Sequence, residues 1–273
     1  MAGAGRAGCT EVRAWRAWER AYHAHTMKRS LGAFVFVFLL AAPMAFSATG
    51  EARQSAAKPV RAVDPAFAPI VEQAALPRVL LIGDSISIGY TAPVRELLKG
   101  KANVLRIPTN GGPTTRGLTS LSAWLGTSKW DVIHFNWGLH DLKYVGATGD
   151  TLVAVGAPGS RPQVSMADYE ANLRTLVGQL QASGAKLIWC ATTPVPAGAK
   201  GRRPGDEVAY NEVAARVMTA AGVPINDLYA HARSRLGEIQ RPADVHFTDA
   251  GSRYLAEQVS AAIVGALPTQ SAP

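Results

Sequence analysis

The sequence predicts an α/β protein, three layers deep, with a five-stranded parallel sheet between two layers of helices. Two observations point there. From residue 78 onward, short runs rich in Val, Leu and Ile alternate with segments of helical period. The runs are apolar almost throughout instead of at every second position, as strands covered on both faces require. A composition of 48% hydrophobic and 18% charged residues suits a chain that buries a sizeable core.

The elements follow in order. Val79 to Ile82 reads as the first strand and Ala92 to Leu98 as helical. Val104 to Ile107 is the second strand, followed by a helix over Leu118 to Leu125. Asp131 to Phe135 is the third strand, and a glycine-containing connection over 142–165 is long enough to border a site. A helix over Met166 to Leu180 is entered through Ser165 with Asp168 three residues on, a capping-box-like start. Lys186 to Ala191 gives a fourth strand, Glu207 to Ala220 a helix, and Val223 to Ile225 a fifth strand with a short helix after it. In the last helix Leu255, Val259, Ile263 and Leu267 recur every four residues behind Thr248, which can cap its start.

The N-terminal part differs. Met27-Lys28-Arg29 precedes an apolar run, Leu31 to Ala42, and then small residues around Ala45-Phe46-Ser47. A basic start, a short apolar stretch and an Ala-x-Ser site read as an export signal over 27–47 and place the product in the periplasm or outside the cell. On that reading residues 1–26 are an over-long N-terminal extension and Met27 is the start. Residues 48–77, rich in Ala, Pro and Gln, read as a flexible linker, and the folded domain is expected over 78–273.

Without residues 1–47 the chain carries 22 Lys and Arg against 18 Asp and Glu, so the net charge falls from +8 to +4. The surplus is scattered and lacks interleaved aromatics, which argues against nucleic acid as a partner. Cys190 is the one cysteine beyond that point, so neither a disulfide framework nor a thiolate metal cluster is expected, and Cys190 reads as a small buried hydrophobe.

In a parallel sheet ligands sit beyond the carboxyl ends of the strands, so chemistry is sought just after the apolar runs. After the first run stands Gly83-Asp84-Ser85, where a serine at a strand-to-helix turn can present its hydroxyl beside a helix N-terminus that favours an anion. After the second stands Asn110-Gly111-Gly112, whose backbone N–H groups can point at a developing oxyanion. After the third stands Asn136-Trp137-Gly138-Leu139-His140-Asp141, and a polar side chain there can donate to the same oxyanion. His134, inside the third strand, reads as a satisfied core residue. Near the end stands Asp244-Val245-His246, where a histidine can reach across to Ser85 as general base, with Asp244 holding its tautomer.

These blocks resemble those of the SGNH hydrolases, also called GDSL-like. Gly83-Asp84-Ser85 matches that family's serine block, Gly112 its glycine block, Gly138-Leu139-His140-Asp141 its G-x-N-D block and His246 its histidine block. Gly112-Pro113-Thr114-Thr115-Arg116 looks like the glycine block of members that deacetylate polysaccharides. The resemblance covers about Arg78 to Leu267 and implies a flavodoxin-like fold with strand order 2-1-3-4-5. It implies an exported ester hydrolase working through an acyl-enzyme, with Ser85, His246 and Asp244 as catalytic residues and Gly112 and His140 in the oxyanion hole. Asp84, Asn136, Trp137 and Asp141 are then expected to contact the substrate, an acylated small molecule or polysaccharide, with Trp137 and Tyr144 as sugar-stacking platforms. No metal or organic cofactor is required.

Two departures stand out. His140 occupies the place of the family's asparagine, and Ala243 the place of its aspartate, three residues before the histidine. Either the loop bends so that Asp244 serves, or a backbone carbonyl orients His246 and the site is a dyad. The rival reading is a catalytically silent domain that binds glycan or cell-wall polymer.

Overall fold

In the computed structural model of the protein, residues 64–149 and 151–268 are described. The expected N-terminal extension, the export signal and the linker up to residue 63 lie outside the described residues. Among the described residues no helix is long and apolar enough to cross a membrane.

Five strands form one parallel sheet: β1 (Arg78–Ile82), β2 (Asn103–Arg106), β3 (Val132–Phe135), β6 (Lys186–Cys190) and β7 (Ile225–Asn226). Their spatial order is β2-β1-β3-β6-β7, so the chain starts in the interior, steps to one edge and returns to build the other side. Taken as strands one to five of the parallel sheet, this is the expected order 2-1-3-4-5. Val79, Leu81 and Ile82 are fully buried, as strands with helices on both faces must be. Truncating such a side chain, Leu to Ala, typically costs about 2–5 kcal/mol.

Among the described residues seven α-helices accompany the sheet: α1 (Ser85–Leu97), α2 (Thr114–Leu125), α3 (Met166–Gln181), α4 (Asp206–Ala220), α5 (Leu228–Arg233), α6 (Leu236–Ile239) and α7 (Asp249–Ala266). Helix α1 packs along α7, which also meets α5 and α6, while α2, α3 and α4 pack in sequence as the second layer. Helix α1 begins at Ser85, earlier than the apolar pattern alone indicates, because the Asp84 carboxylate accepts the Ile86 N–H at 2.9 Å and caps the first turn. Ser165 caps α3 as expected, and Thr248 caps α7.

Residues 64–77 correct the reading of 48–77 as a tether throughout. A short 3-10 turn, Pro65–Phe67, buries Ala66, and the Asn103 side chain at the start of β2 both accepts from the Gln73 N–H and donates to the Gln73 and Leu76 carbonyls. The Arg106 guanidinium lies 5.0 Å from the centre of the Phe67 ring. A Pro- and Ala-rich composition conceals these partners because they sit elsewhere in the sequence.

The 142–165 connection carries a two-stranded antiparallel ribbon, β4 (Tyr144–Val145) with β5 (Arg161–Pro162), and a bridge from Val145 to Leu152. His134 is buried in the core as expected, but it is not fully satisfied, because its Nδ1 has no hydrogen-bond partner among the described residues. Burial pushes its imidazole down to about 3, and its Nε2 accepts from the Asn226 amide at 3.2 Å. Cys190 is buried and free, and burial pushes its thiol pKa up.

Candidate active site

The carboxyl edge of the sheet gathers the four sequence blocks. Ser85 stands at the first position of α1, where the backbone N–H has no acceptor within the helix. Its Oγ lies 2.8 Å from His246 Nε2, across 161 residues of chain. On the far side of the ring, Nδ1 lies 2.6 Å from Asp244 Oδ1, and the same oxygen accepts the His246 backbone N–H at 3.1 Å. With the proton on Nδ1, the ring donates to Asp244 and its Nε2 is free to accept from the serine hydroxyl. A hydroxyl, an imidazole and a carboxylate in this series can withdraw a proton from an attacking oxygen and return it to a leaving group.

Asp244 reaches the ring because the loop turns sharply one residue earlier. Ala243 has φ +54°, alone among the described non-glycine residues in the left-handed region, and the Asp244 N–H donates to the Arg241 carbonyl at 3.2 Å. Partial burial acts to raise the Asp244 pKa. The hydrogen bonds from the His246 backbone and ring, with the charges of His246 and Arg241, outweigh it and hold the carboxyl below its usual value.

His140 lies half-buried beyond β3, and burial, joined by the charges of Lys143, Arg202 and Arg116, lowers its pKa against the opposing pull of Asp84. It is therefore a neutral imidazole near pH 7, with one N–H to donate. Gly112 has φ +62°, and its N–H donates to Asn110 Oδ1 at 2.9 Å. That corrects the expectation that this N–H stands open to an oxyanion, because an Asx turn engages it. The loop itself sits where expected: the Gly111 N–H donates to the Gly83 carbonyl, and a Cβ at Gly111 would come within 2.9 Å of that oxygen.

All four expected substrate contacts have structural partners in this fold, and Asn136 alone among them is half-buried rather than buried. Trp137 is 1% exposed and meets Phe135 edge-on at 6.1 Å, while its ring fills the space over Gly117, so it offers no face to a sugar. Asp141 is fully buried, and its Oδ1 accepts both the N–H (2.8 Å) and the hydroxyl of Thr114, whose oxygen in turn accepts from Asn172. Asp141 thus ties the third block to the first residue of α2. Burial pushes its carboxyl up to about 7. Asp84 is buried as the α1 cap. Asn136, half-buried, donates to the Cys190 carbonyl and to Thr192 Oγ1, joining the end of β3 to that of β6. Gly138 belongs to the same seam, since any Cβ there would collide with the Thr192 side chain. Tyr144 is also buried, with the Arg203 guanidinium 5.3 Å from its ring centre.

The residues that sequence reasoning missed are Thr114, Asn172 and Arg202. Arg202 follows β6 on a loop with positive-φ glycines at 198, 201 and 205, and its Nε donates to the Leu139 carbonyl at 3.0 Å. Beside it, Arg203 lines an open cleft of about 480 Å³ between the 142–165 connection and α4, together with Tyr144, Arg161, Gln163 and Asp206. Glycines in such number after a strand were the available signal.

Comparison with known proteins agrees with this geometry. The sequence pattern of the GDSL-like lipase/acylhydrolase family matches residues 81–254, more than half of the chain. No curated protein matches in sequence. Among solved structures, the lipase/acylhydrolase from Enterococcus faecalis superposes with a TM-score of 0.58 at 21% identity, covering 72% of this chain and 100% of its own. The acetyl xylan esterase AlAXEase gives 0.55 at 17%, covering 68% and 99%, and the acetylxylan esterase Axe2 from Geobacillus stearothermophilus gives 0.55 at 18%, covering 67% and 92%. At such identities the likenesses concern the fold. The family match, with its serine block just after β1 and its histidine block just before α7, settles the rest: this chain belongs to the GDSL-like lipase/acylhydrolase family, the SGNH serine ester hydrolases.

Proposed function

We propose that the protein is an exported carbohydrate O-acetyl esterase with Ser85, His246 and Asp244 as a catalytic triad. The observation that supports it most is the continuous series Ser85 Oγ, His246 Nε2, His246 Nδ1 and Asp244 Oδ1, with spacings of 2.8 and 2.6 Å at its two hydrogen bonds. Ser85 Oγ attacks the acyl carbon while Nε2 takes its proton. The imidazolium, steadied by Asp244, protonates the departing sugar oxygen as the carbon–oxygen bond breaks. Water then attacks the acyl-serine, giving its proton to Nε2, and acetate leaves as Ser85 recovers its hydrogen.

The tetrahedral oxyanion needs donors. The Ser85 N–H at the start of α1 supplies one, helped by the helix dipole, and a neutral His140 supplies another. Gly112 contributes only if its N–H leaves Asn110. That engaged N–H is also what favours the alternative, a domain that binds glycan without turning it over.

Acetate release from acetylated xylan, acetylated pectin and p-nitrophenyl acetate tests the reading, beside Ser85→Ala and serine labelling by a fluorophosphonate. Turnover and labelling lost together in Ser85→Ala are expected. A chain that neither labels nor releases acetate is the silent binder.

A further inference from the structure

We infer that the site selects anionic glycans, with the Arg202 guanidinium receiving a carboxylate or sulfate carried by the sugar next to the scissile ester. This rests on the acyl hydrolase reading above and adds the charge of its substrate.

Arg202 is held in place before any ligand arrives. Its loop is wedged between the two structures that flank the site. At Gly198 (φ +79°) a Cβ would come 3.0 Å from the Cβ of Ala243, in the turn that aims Asp244. At Gly201 (φ +60°) a Cβ would collide with the Leu152 side chain and come 2.9 Å from the Val153 carbonyl, while the Tyr144 N–H donates to the Gly201 carbonyl at 2.7 Å. The next residue is Arg202, anchored through Nε to the carbonyl just before His140. A guanidinium fixed at one nitrogen presents its outer N–H groups as a fork suited to a carboxylate or sulfate.

Its surroundings leave that fork without an ion-pair partner. The arginine is half-buried, and the charges acting on it are Asp84 and Asp244. Neither forms an ion pair with it, and among the described residues no carboxylate does. Asp84 is engaged by the Ile86 N–H and Asp244 by His246. Holding a cation partly out of water without a counter-ion costs free energy, which a substrate anion would offset on binding.

The positive charge extends beyond one side chain. Arg116 lays its stem over Gly112 and anchors its guanidinium on Thr109 Oγ1 at 3.2 Å. Arg116 and Arg202 both act on His140. A neutral acetylated sugar makes no use of these two guanidinium groups, whereas a polyanion is drawn to them. Arg203, next in the chain, lines the cleft of about 480 Å³.

Calorimetric titration of the full chain with trigalacturonate, sulfated xylotriose and neutral xylotriose tests the inference without depending on turnover. At low salt one or both charged sugars should bind at least tenfold more tightly than xylotriose, and the sugar that does so identifies the anion. The difference should shrink as salt rises. Arg202→Gln should remove most of it, Arg202→Lys should retain part, and Arg116→Gln gives a second reading should Arg202→Gln fail to fold. Arg235→Gln, an exposed residue paired with Glu238, should leave the selectivity as it was. Equal affinity for charged and neutral sugars, or selectivity that survives Arg202→Gln, overturns the inference. Turnover with no preference for charge rejects Arg202's role and leaves the esterase standing, whereas anion-selective binding with no acetate release from any ester does the reverse.

Discussion

Two aspartates serve the site from opposite environments. Asp244 lies on a sharply turned, partly exposed loop, where donors from its own histidine keep it ionised. Asp141 is sealed under the site between β3 and α2, where burial pushes it toward neutrality. On the proposed mechanism the first answers a charge that appears during reaction, while the second holds two loops in register. Neighbours and solvent, not residue type, assign the roles.

Exchanging the carboxylates for neutral groups should separate these roles. Asp244→Asn should lower kcat/KM on p-nitrophenyl acetate by about 10³–10⁴-fold, the loss expected when an imidazole is held in the wrong tautomer, with little change in thermal midpoint. A fall under about tenfold would mean a dyad. Asp141 should show in stability. Its pKa stands near 4 unfolded and about 7 folded, so the folded state retains a proton that the unfolded chain has released. Stability should therefore fall as pH rises from 4 to 7, by up to about 4 kcal/mol, and denaturant titrations of Asp141→Asn should lack that slope. At pH 5, Asp141→Ala should cost about 1–3 kcal/mol, because the Thr114 N–H is left buried without an acceptor. The smallest change belongs to the Asp244 loop, where Ala243→Gly should stabilise by about 1 kcal/mol by relieving a left-handed alanine. A lower denaturation midpoint for that variant would mean the turn relies on the Ala243 methyl packed against Gly198.

What the sequence made legible depended on locality. Ser85 and His246 could be recognised because each follows or precedes an element whose period is plain; alternation gave the parallel sheet, and the order of its strands came from the family resemblance. The reach of Asp244 could not, because it depends on a positive φ at Ala243, a residue that carries no sign of such a backbone. Trp137 was misread because an aromatic after a strand looks alike whether it faces solvent or core, and Gly117, whose missing side chain admits the ring, lies 20 residues earlier. Asp141 and Arg202 likewise take their meaning from partners on other elements. The packed residues 64–77 were hidden by a composition that suits a tether as well as a surface strap.

The seam between Gly138 and Thr192 bears on how this site can change over evolutionary time. No single substitution at Gly138 fits while Thr192 keeps its side chain, and Thr192 also accepts from Asn136. Variation should therefore travel through the pair, with a smaller residue at 192 preceding any larger one at 138. A library that randomises one position alone would sample mostly broken proteins, whereas one that varies both would reach new shapes of the loop carrying His140.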